Sequence, residues 1–416
     1  MLTRVIDSIC RAEGARVMAG LIRRYGDFEL AEDALQDAYA RAIELWPAQG
    51  LPATPAAWLT TVAQRRALDL LRRRHSGPLY TAEVPDVAAP DIEDANTHSA
   101  DASDVEDDRL RLVFTCCHPA LAQQAQIALA LRTLCGLTTR EIAHAFLEPE
   151  ATTAQRLVRV QRKIRDARIP YEVPARDILP ERLQAVLGVV YLVFNEGYTA
   201  TDTPGLLRPD LCAEAIRLAR LMVELMPQEA EARGLLALML LQDSRRDTRL
   251  GTDGAIVPLE EQDRTRWHCD AITEGLAQLD AALAMRQRGP YQLQAAIAAL
   301  HARAARAADT DWPQIAALYV GLMHDMREQP SAVVELNAAV AHAMAESIES
   351  GLAWIEQLTT SDELSGYHLL PAAKADLLRR LGRNTEARDA YRAALALVRN
   401  PAERKYLEKR LTECGD

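Results

Sequence analysis

Residues 76–105 (SGPLYTAEVPDVAAPDIEDANTHSADASDV) carry no apolar periodicity, whereas on both sides of them apolar residues return every three or four positions. A chain patterned in this way is expected to fold as helical domains on either side of an extended or disordered linker. Composition agrees with helices. Aromatic residues make up 5% of the 416 positions, there are 19 glycines and 20 prolines, and runs rich in Ala, Leu, Arg and Glu fill most of the rest. That balance favours an all-α protein over a β-sandwich or barrel. The length allows two or three domains, with 49% hydrophobic and 26% charged residues as in ordinary soluble chains.

Before the linker, Ala15, Val17, Met18, Leu21 and Ile22 mark a helix over 11–24, stopped by Tyr25-Gly26-Asp27. A second helix is expected over 28–46. It places Ala31, Ala34, Leu35, Ala38, Ala42, Ile43 and Trp46 on one side and Glu32, Asp33, Gln36 and Asp37 beside them, with Pro47 and the 50–55 loop ending it. Thr54-Pro55 caps a third helix that carries Trp58, Leu59, Val62, Ala63, Leu68 and Leu71 to a basic end at Arg72-Arg73-Arg74.

After the linker, helical stretches at about 106–117 and 120–134 lead to Gly136 and a helix-turn-helix pattern. Thr138 and Glu141 form a capping box, Ile142, Ala143 and Phe146 are the buried face of the first helix, and Glu148-Pro149 opens the second. The second helix, about 150–167, is roughly 27 Å long at 1.5 Å per residue. Thr152, Gln155, Arg156, Arg159, Arg162 and Lys163 share one face of it, and Ala154, Leu157, Val160 and Ile164 the other. Such a helix suits a major groove, with Arg and Gln offering bidentate contacts to base edges and the distal cations neutralising phosphates. The plainer reading is a solvated basic face.

Charge is unevenly distributed. Residues 1–80 hold 11 basic and 9 acidic groups, 81–108 hold 10 acidic and no basic, 109–168 hold 10 basic and 4 acidic, and 169–416 hold 27 and 36, within a net charge of -11. Short segments are therefore able to face a polyanion in an acidic chain. The acids at 32–37 suit either a partner's basic surface or the dipole of their own helix N-terminus. Trp58, Gln64, Arg65, Arg66, Asp69, Arg72 and Arg73 give the third helix a mixed aromatic and basic character, suited to a DNA strand or to solvated packing.

Cys116-Cys117-His118 invites a metal reading, but adjacent helical cysteines point apart and only Cys135 is near, so they are read as packed residues and no metal or cofactor is expected. Seven cysteines without a regular framework, no signal-peptide core and no run of 18 apolar residues point to a cytoplasmic protein that is not in a membrane. No phosphate-binding glycine loop, nucleophile elbow or HExxH is present, so no enzyme is expected.

From about residue 170 similar helical pieces recur, ending at Pro227, Pro290, Pro330 and Pro401. The last, with Leu381-Gly382, Ala387, Tyr391, Ala394 and Pro401, resembles a tetratricopeptide (TPR) repeat. Stacked helix pairs are expected, with an irregular insertion near 243–266.

Together these motifs resemble an extracytoplasmic-function (ECF) sigma factor of bacterial RNA polymerase, in the subgroup with a long TPR-like helical C-terminal extension. AEDALQDAYARA at 31–42 resembles the region-two helix that holds the polymerase clamp helices. WLTTVAQRRALDLLRRR at 58–74 resembles the segment that melts and reads the minus-ten element, and GLTTREIAHAFLEPEATTAQRLVRVQRKI at 136–164 resembles region four, which reads the minus-thirty-five element and docks on the flap. The resemblance implies core-polymerase contacts from Glu32, Asp33, Gln36 and Asp37, and promoter melting by the 47–55 loop and by Trp58, Arg65, Arg66, Asp69, Arg72 and Arg73. It implies minus-thirty-five contacts from Thr152, Gln155, Arg156 and Arg159, with Arg162 and Lys163 on the same face. Gln64-Arg65 stands where many members have Arg-Asn.

The expected domains are 1–75 (region two), 76–105 (acidic linker), 106–169 (region four) and 170–416 (TPR-like extension). The 28 residues from 81 to 108 reach at most about 95 Å, and their acids suit a basic polymerase channel better than DNA, unless they are a solvated tether. Core polymerase and promoter DNA are the expected partners, with a protein partner on the repeats. The competing readings are a stand-alone helix-turn-helix regulator with a TPR-like sensor and a scaffold whose basic helix is structural.

Overall fold

The computed structural model describes residues 2–75, 102–146, 148–198, 209–328, 331–359 and 362–415. Among them are eighteen α-helices and no strand, only an isolated bridge between Leu250 and Ile256. The all-α expectation holds. None of these helices is long and apolar enough to cross a membrane. The chain divides into two compact units, Met1–Leu192 and Val193–Asp416.

The first unit begins with α1 (Leu2–Tyr25), α2 (Phe28–Gln49) and α3 (Pro55–His75), which pack on one another. The stripe of α1 starts earlier than residue 11, because Ile6 and Cys10 continue it into the core. Gly26, at φ 67°, makes the turn that no side chain tolerates easily, and Asp27 then caps α2 by accepting from the Leu30 amide at 3.1 Å. Pro47 does not end α2. It sits in the last turn, where a missing amide costs only the bond to an exposed position, and the helix closes instead at Gly50 (φ 89°), whose N–H donates to the Trp46 carbonyl. Ile43 and Leu68, both expected on apolar stripes, are exposed. The core is anchored by Trp46 and Trp58, edge to face at 5.3 Å.

Residues 76–101 of the expected linker lie outside the described residues. Its last four positions, 102–105, belong to α4 (Ala102–Cys116), which packs on α1 and is followed by α5 (Gln123–Thr133), α6 (Thr139–Ala145) and α7 (Glu150–Asp166). Beyond α7, the Tyr171 hydroxyl donates to the Ala19 and Asp108 carbonyls at 2.9 Å, and Arg182 donates to the Phe114 carbonyl at 2.8 Å. These bonds tie residues 171–182 into the same unit.

The boundary between the units falls inside α8 (Leu179–Tyr198). The second unit continues with α9 (Pro209–Leu225), α10 (Ala230–Asp243), α11 (Cys269–Ala284), α12 (Pro290–Arg303), α13 (Trp312–Asp325), α14 (Ala332–Ala345), α15 (Ile348–Leu358), α16 (Leu369–Arg380), α17 (Asn384–Leu397) and α18 (Pro401–Glu413). Neighbours in sequence pack as neighbours in space: α10 on α11 and α12, α13 on α14, α14 on α15, α16 on α17. Pro290 and Pro401 open helices at their first positions, where a missing N–H costs nothing; Pro330 lies outside the described residues. Ala387, Tyr391 and Ala394 are buried together in one cluster with Leu352, Ile355 and Leu378. The 243–266 segment is irregular but packed, with the Trp267 indole donating to the buried Thr248 hydroxyl at 3.0 Å.

Gly351 fixes how closely α14 and α15 approach. A Cβ there would lie 2.3 Å from the Ala343 Cβ and 2.8 Å from the Ala339 carbonyl oxygen. Gly351→Ala is therefore expected to lower stability by about 1–3 kcal/mol, despite the better helix propensity of alanine, and to depress the melting temperature in a thermal scan.

Candidate nucleic-acid interface

Helix α6 starts with the reciprocal cap read from the sequence. The Thr138 amide donates to the Glu141 carboxylate at 2.7 Å and the Glu141 amide to the Thr138 hydroxyl at 3.1 Å. Ile142 and Ala143 are buried and Phe146 half-buried. On α7 the buried stripe is Thr153, Leu157, Val160 and Ile164. Ala154, expected on that stripe, is exposed, because the spacing of four, three and four from residue 153 defines the inward direction and 154 lies one residue around the helix.

Opposite the stripe, Thr152, Gln155, Arg159, Arg162 and Lys163 are exposed. Arg156 is not free in the same way. Its guanidinium makes a bidentate pair with Glu148, at 2.5 and 2.7 Å, and lies 5.7 Å from the Phe146 ring centroid. Thr153 donates its hydroxyl to the same carboxylate. Burial alone would raise the Glu148 carboxyl, but the hydrogen bonds from Arg156 and Thr153 and the Arg156 charge hold it below the usual value. Glu148 thereby fixes the turn against the helix it precedes, and Arg156 orients that turn.

The acids of α2 diverge. Asp33 and Gln36 are exposed, whereas Asp37 pairs with Arg66 of α3. Glu32 is half-buried and receives Arg132 of α5 at 2.6 Å and Gln161 of α7 at 2.7 Å. Its neighbour Glu29 faces Arg165 at 3.8 Å. Sequence reading missed Arg132, Gln161 and the clamping role of Glu148; the first two lie 100 and 129 residues from Glu32, with no local signal to connect them.

On α3, Arg65, Arg72 and Arg73 are exposed, with Asp69 facing Arg72 at 3.7 Å. Trp58 is not on this surface. It is 1% exposed and packs on Trp46, so its ring is core rather than a platform for bases. Apolar bulk at the start of α3 takes the inward position that the period of the helix offers it.

Cys116, Cys117 and Cys135 are buried. The Cys116 sulfur lies 3.0 Å from the Thr133 hydroxyl and its thiol is pushed up to about 12 by burial; Cys117 is raised by burial and by the neighbouring Cys116. Cys116 and Cys117 pack as buried core thiols.

Comparisons with known proteins place two families on this chain: Sigma-70 region 2 at residues 10–76 and a family of unknown function (DUF6596) at residues 182–283. An uncharacterized protein of Rhizobium meliloti (strain 1021) is 46% identical over 98% of this chain and 95% of its own length. A probable ECF RNA polymerase sigma factor, SigI, of Mycobacterium tuberculosis (strain H37Rv) is 28% identical over 40% of this chain and 57% of its own length.

Glu148→Gln is expected to destabilise the first unit by about 1–3 kcal/mol at pH 7, since it removes the charge from a part-buried bidentate pair. Glu148 has a lowered folded pKa, so its contribution is complete above the ordinary carboxyl value of 4.5 and is lost as pH falls through the lower folded value. Denaturation midpoints of native and variant protein should therefore differ at neutral pH and converge in acid.

Proposed function

Because the chain belongs to the ECF family of RNA polymerase sigma factors and carries an added C-terminal domain, we propose that residues 1–75 bind core polymerase and the minus-ten element, that 106–169 read the minus-thirty-five element, and that the second unit, Val193–Asp416, regulates these activities in cis. Sigma-factor function brings core RNA polymerase and promoter DNA as partners, and it is not an enzyme class. The observation that carries the finer reading is the occurrence, within one compact unit, of two helices with exposed cations, α3 and α7, the first of them inside the Sigma-70 region 2 match.

On this reading α7 enters the major groove with Thr152, Gln155 and Arg159 at base edges and Arg162 and Lys163 at phosphates, while Arg156 mainly holds the turn. Arg65, Arg66, Arg72 and Arg73 guide the opened strand along α3, with Asp69 orienting Arg72, and Trp58 supports that helix from within. Asp33, Gln36, Asp37 and Glu32 receive the polymerase clamp. The site of action is the cytoplasm, where polymerase and promoters are. The helical repeats bury their own stripes and leave surfaces for a protein partner.

Purified full-length protein mixed with core polymerase is expected to initiate from a defined pair of promoter elements in a fragment library. DNA binding without polymerase-dependent initiation would point to a stand-alone regulator instead. Arg159→Gln should weaken promoter binding by about 1–3 kcal/mol and relax sequence preference at one position, whereas Lys163→Gln should weaken binding to all sequences alike and reduce its salt dependence.

Glu32 cannot receive the clamp while Arg132 and Gln161 hold it. Arg132→Gln is expected to tighten core-polymerase binding and Glu32→Gln to weaken it, by titration of labelled protein with core enzyme. To test regulation in cis, the chain is cut after Leu192, because Tyr171 and Arg182 belong to the first unit. A truncated protein whose transcription and regulation match the full chain would remove the regulatory assignment.

A further inference from the structure

Several arginines of the second unit pair with carboxylates: Arg220 with Glu274 at 2.7 Å, Arg288 with Asp325 at 2.8 Å, Arg380 with both Asp376 and Glu260. Arg245, Arg249 and Arg264 are instead half-buried against aromatic rings. None of the three makes an ion pair among the described residues, although the chain as a whole is acidic.

Their guanidiniums are held by groups that orient charge without neutralising it. Arg249 lies 3.6 Å from the Tyr198 ring centroid and donates to the Tyr198 carbonyl. Arg245 shares that ring at 5.8 Å, and its guanidinium makes no hydrogen bond among the described residues. Arg264 lies 5.0 Å from the Trp267 centroid and donates to the carbonyls of His301 and Ala304. Three polar atoms of the cluster are buried without a partner, Nε of Arg264, Nδ1 of His301 and the Tyr198 hydroxyl. The His301 ring is fixed edge to face on Trp312 at 5.3 Å. Burial, then the charges of Arg245 and Arg264, push the His301 imidazole down to about 4.

The acids that face this cluster are engaged elsewhere. Glu403 acts on Arg249 from a distance but contacts His368 at 3.0 Å, and Asp309 acts on Arg264 but pairs with Arg306 at 2.7 Å. Arg245 repels both Arg249 and Arg264, and these half-buried cations, on aromatic and carbonyl supports beside unpartnered nitrogens, are arranged as donors for an anion.

We propose that Arg245, Arg249, Arg264 and His301 form a binding site for a small phosphate-bearing ligand. A carboxylate supplies one negative charge and two acceptor atoms, which leaves two of the guanidiniums uncompensated. A phosphate group carries about -1.5 to -2 and three acceptor oxygens, which matches the forked donors in charge and number. Tyr198 and all three arginines fall within residues 182–283, the segment matched by the family of unknown function, so the site gives that domain a ligand class. It goes beyond the promoter-directed reading, and its test does not depend on transcription.

The test is thermal unfolding of the full chain in inorganic phosphate against chloride of equal ionic strength. Native protein is expected to gain a saturable rise of a few degrees in phosphate alone. Arg245→Gln removes a charge without removing a hydrogen bond, so the variant should fold, melt at or above the native temperature in chloride, and bind phosphate at least about tenfold more weakly. As a second readout, phosphate should raise the titration midpoint of the His301 ring in NMR, the resonance being identified by its loss in His301→Gln. No saturable stabilisation of native protein, an equal stabilisation of Arg245→Gln, or an unmoved His301 titration would each overturn the site.

Discussion

Every helix here depends on having its apolar stripe covered. Isolated helices of this length are marginal in water, because the cost of nucleation is returned only slowly by backbone hydrogen bonds. In the second unit, chain neighbours supply the cover: α15 lays Gly351, Leu352 and Ile355 against Ala339 and Ala343 of α14, and α17 buries Tyr391 and Ala394 in the same cluster. In the first unit the same need is met by Trp46 and Trp58, which lock α2 to α3 and so hold the acids of one helix beside the cations of the other. The exposed polar faces are what remains after that packing is satisfied.

The placement of arginines then decides which of those faces are available. Arg66, Arg132 and Arg156 are engaged by Asp37, Glu32 and Glu148, and their charge serves the architecture. Arg72, Arg73, Arg159 and Arg162 reach solvent from the same helices or from neighbouring ones. In the second unit, Arg245, Arg249 and Arg264 are neither paired nor fully solvated, and aromatic rings take the place that carboxylates hold elsewhere. An arginine is thus informative through its partner rather than its presence.

Much of this was legible in the sequence, in places where the deciding physics is local. The Thr138–Glu141 cap, the start of α3 at Pro55 and the stripe through Leu157, Val160 and Ile164 follow from contacts within four residues. Ala154 fits the apolar spacing in the sequence, but Thr153 takes the inward position, because both are small and only the exact inward direction separates them. The side that Trp58 faces is left open by the sequence, because a tryptophan among arginines suits nucleic acid as well as core. Pro47 suggests a stop in the sequence, but the rule against proline in a helix interior weakens in the last turn, and sequence does not reveal which turn is last.

The sequence by itself determined that the described residues are helical and where most of their apolar stripes run, since propensity, capping and periodicity act over a few residues. Only the tertiary structure decided that Glu32 is held by Arg132 and Gln161, that Arg156 is clamped by Glu148, and that Arg245, Arg249 and Arg264 gather around Tyr198, Trp267 and His301 without an acid. The reason is physical. A charge's partner is chosen by proximity in space, and helices far apart in the chain are brought together by burying their stripes, which carries the polar residues along without regard to their sequence separation.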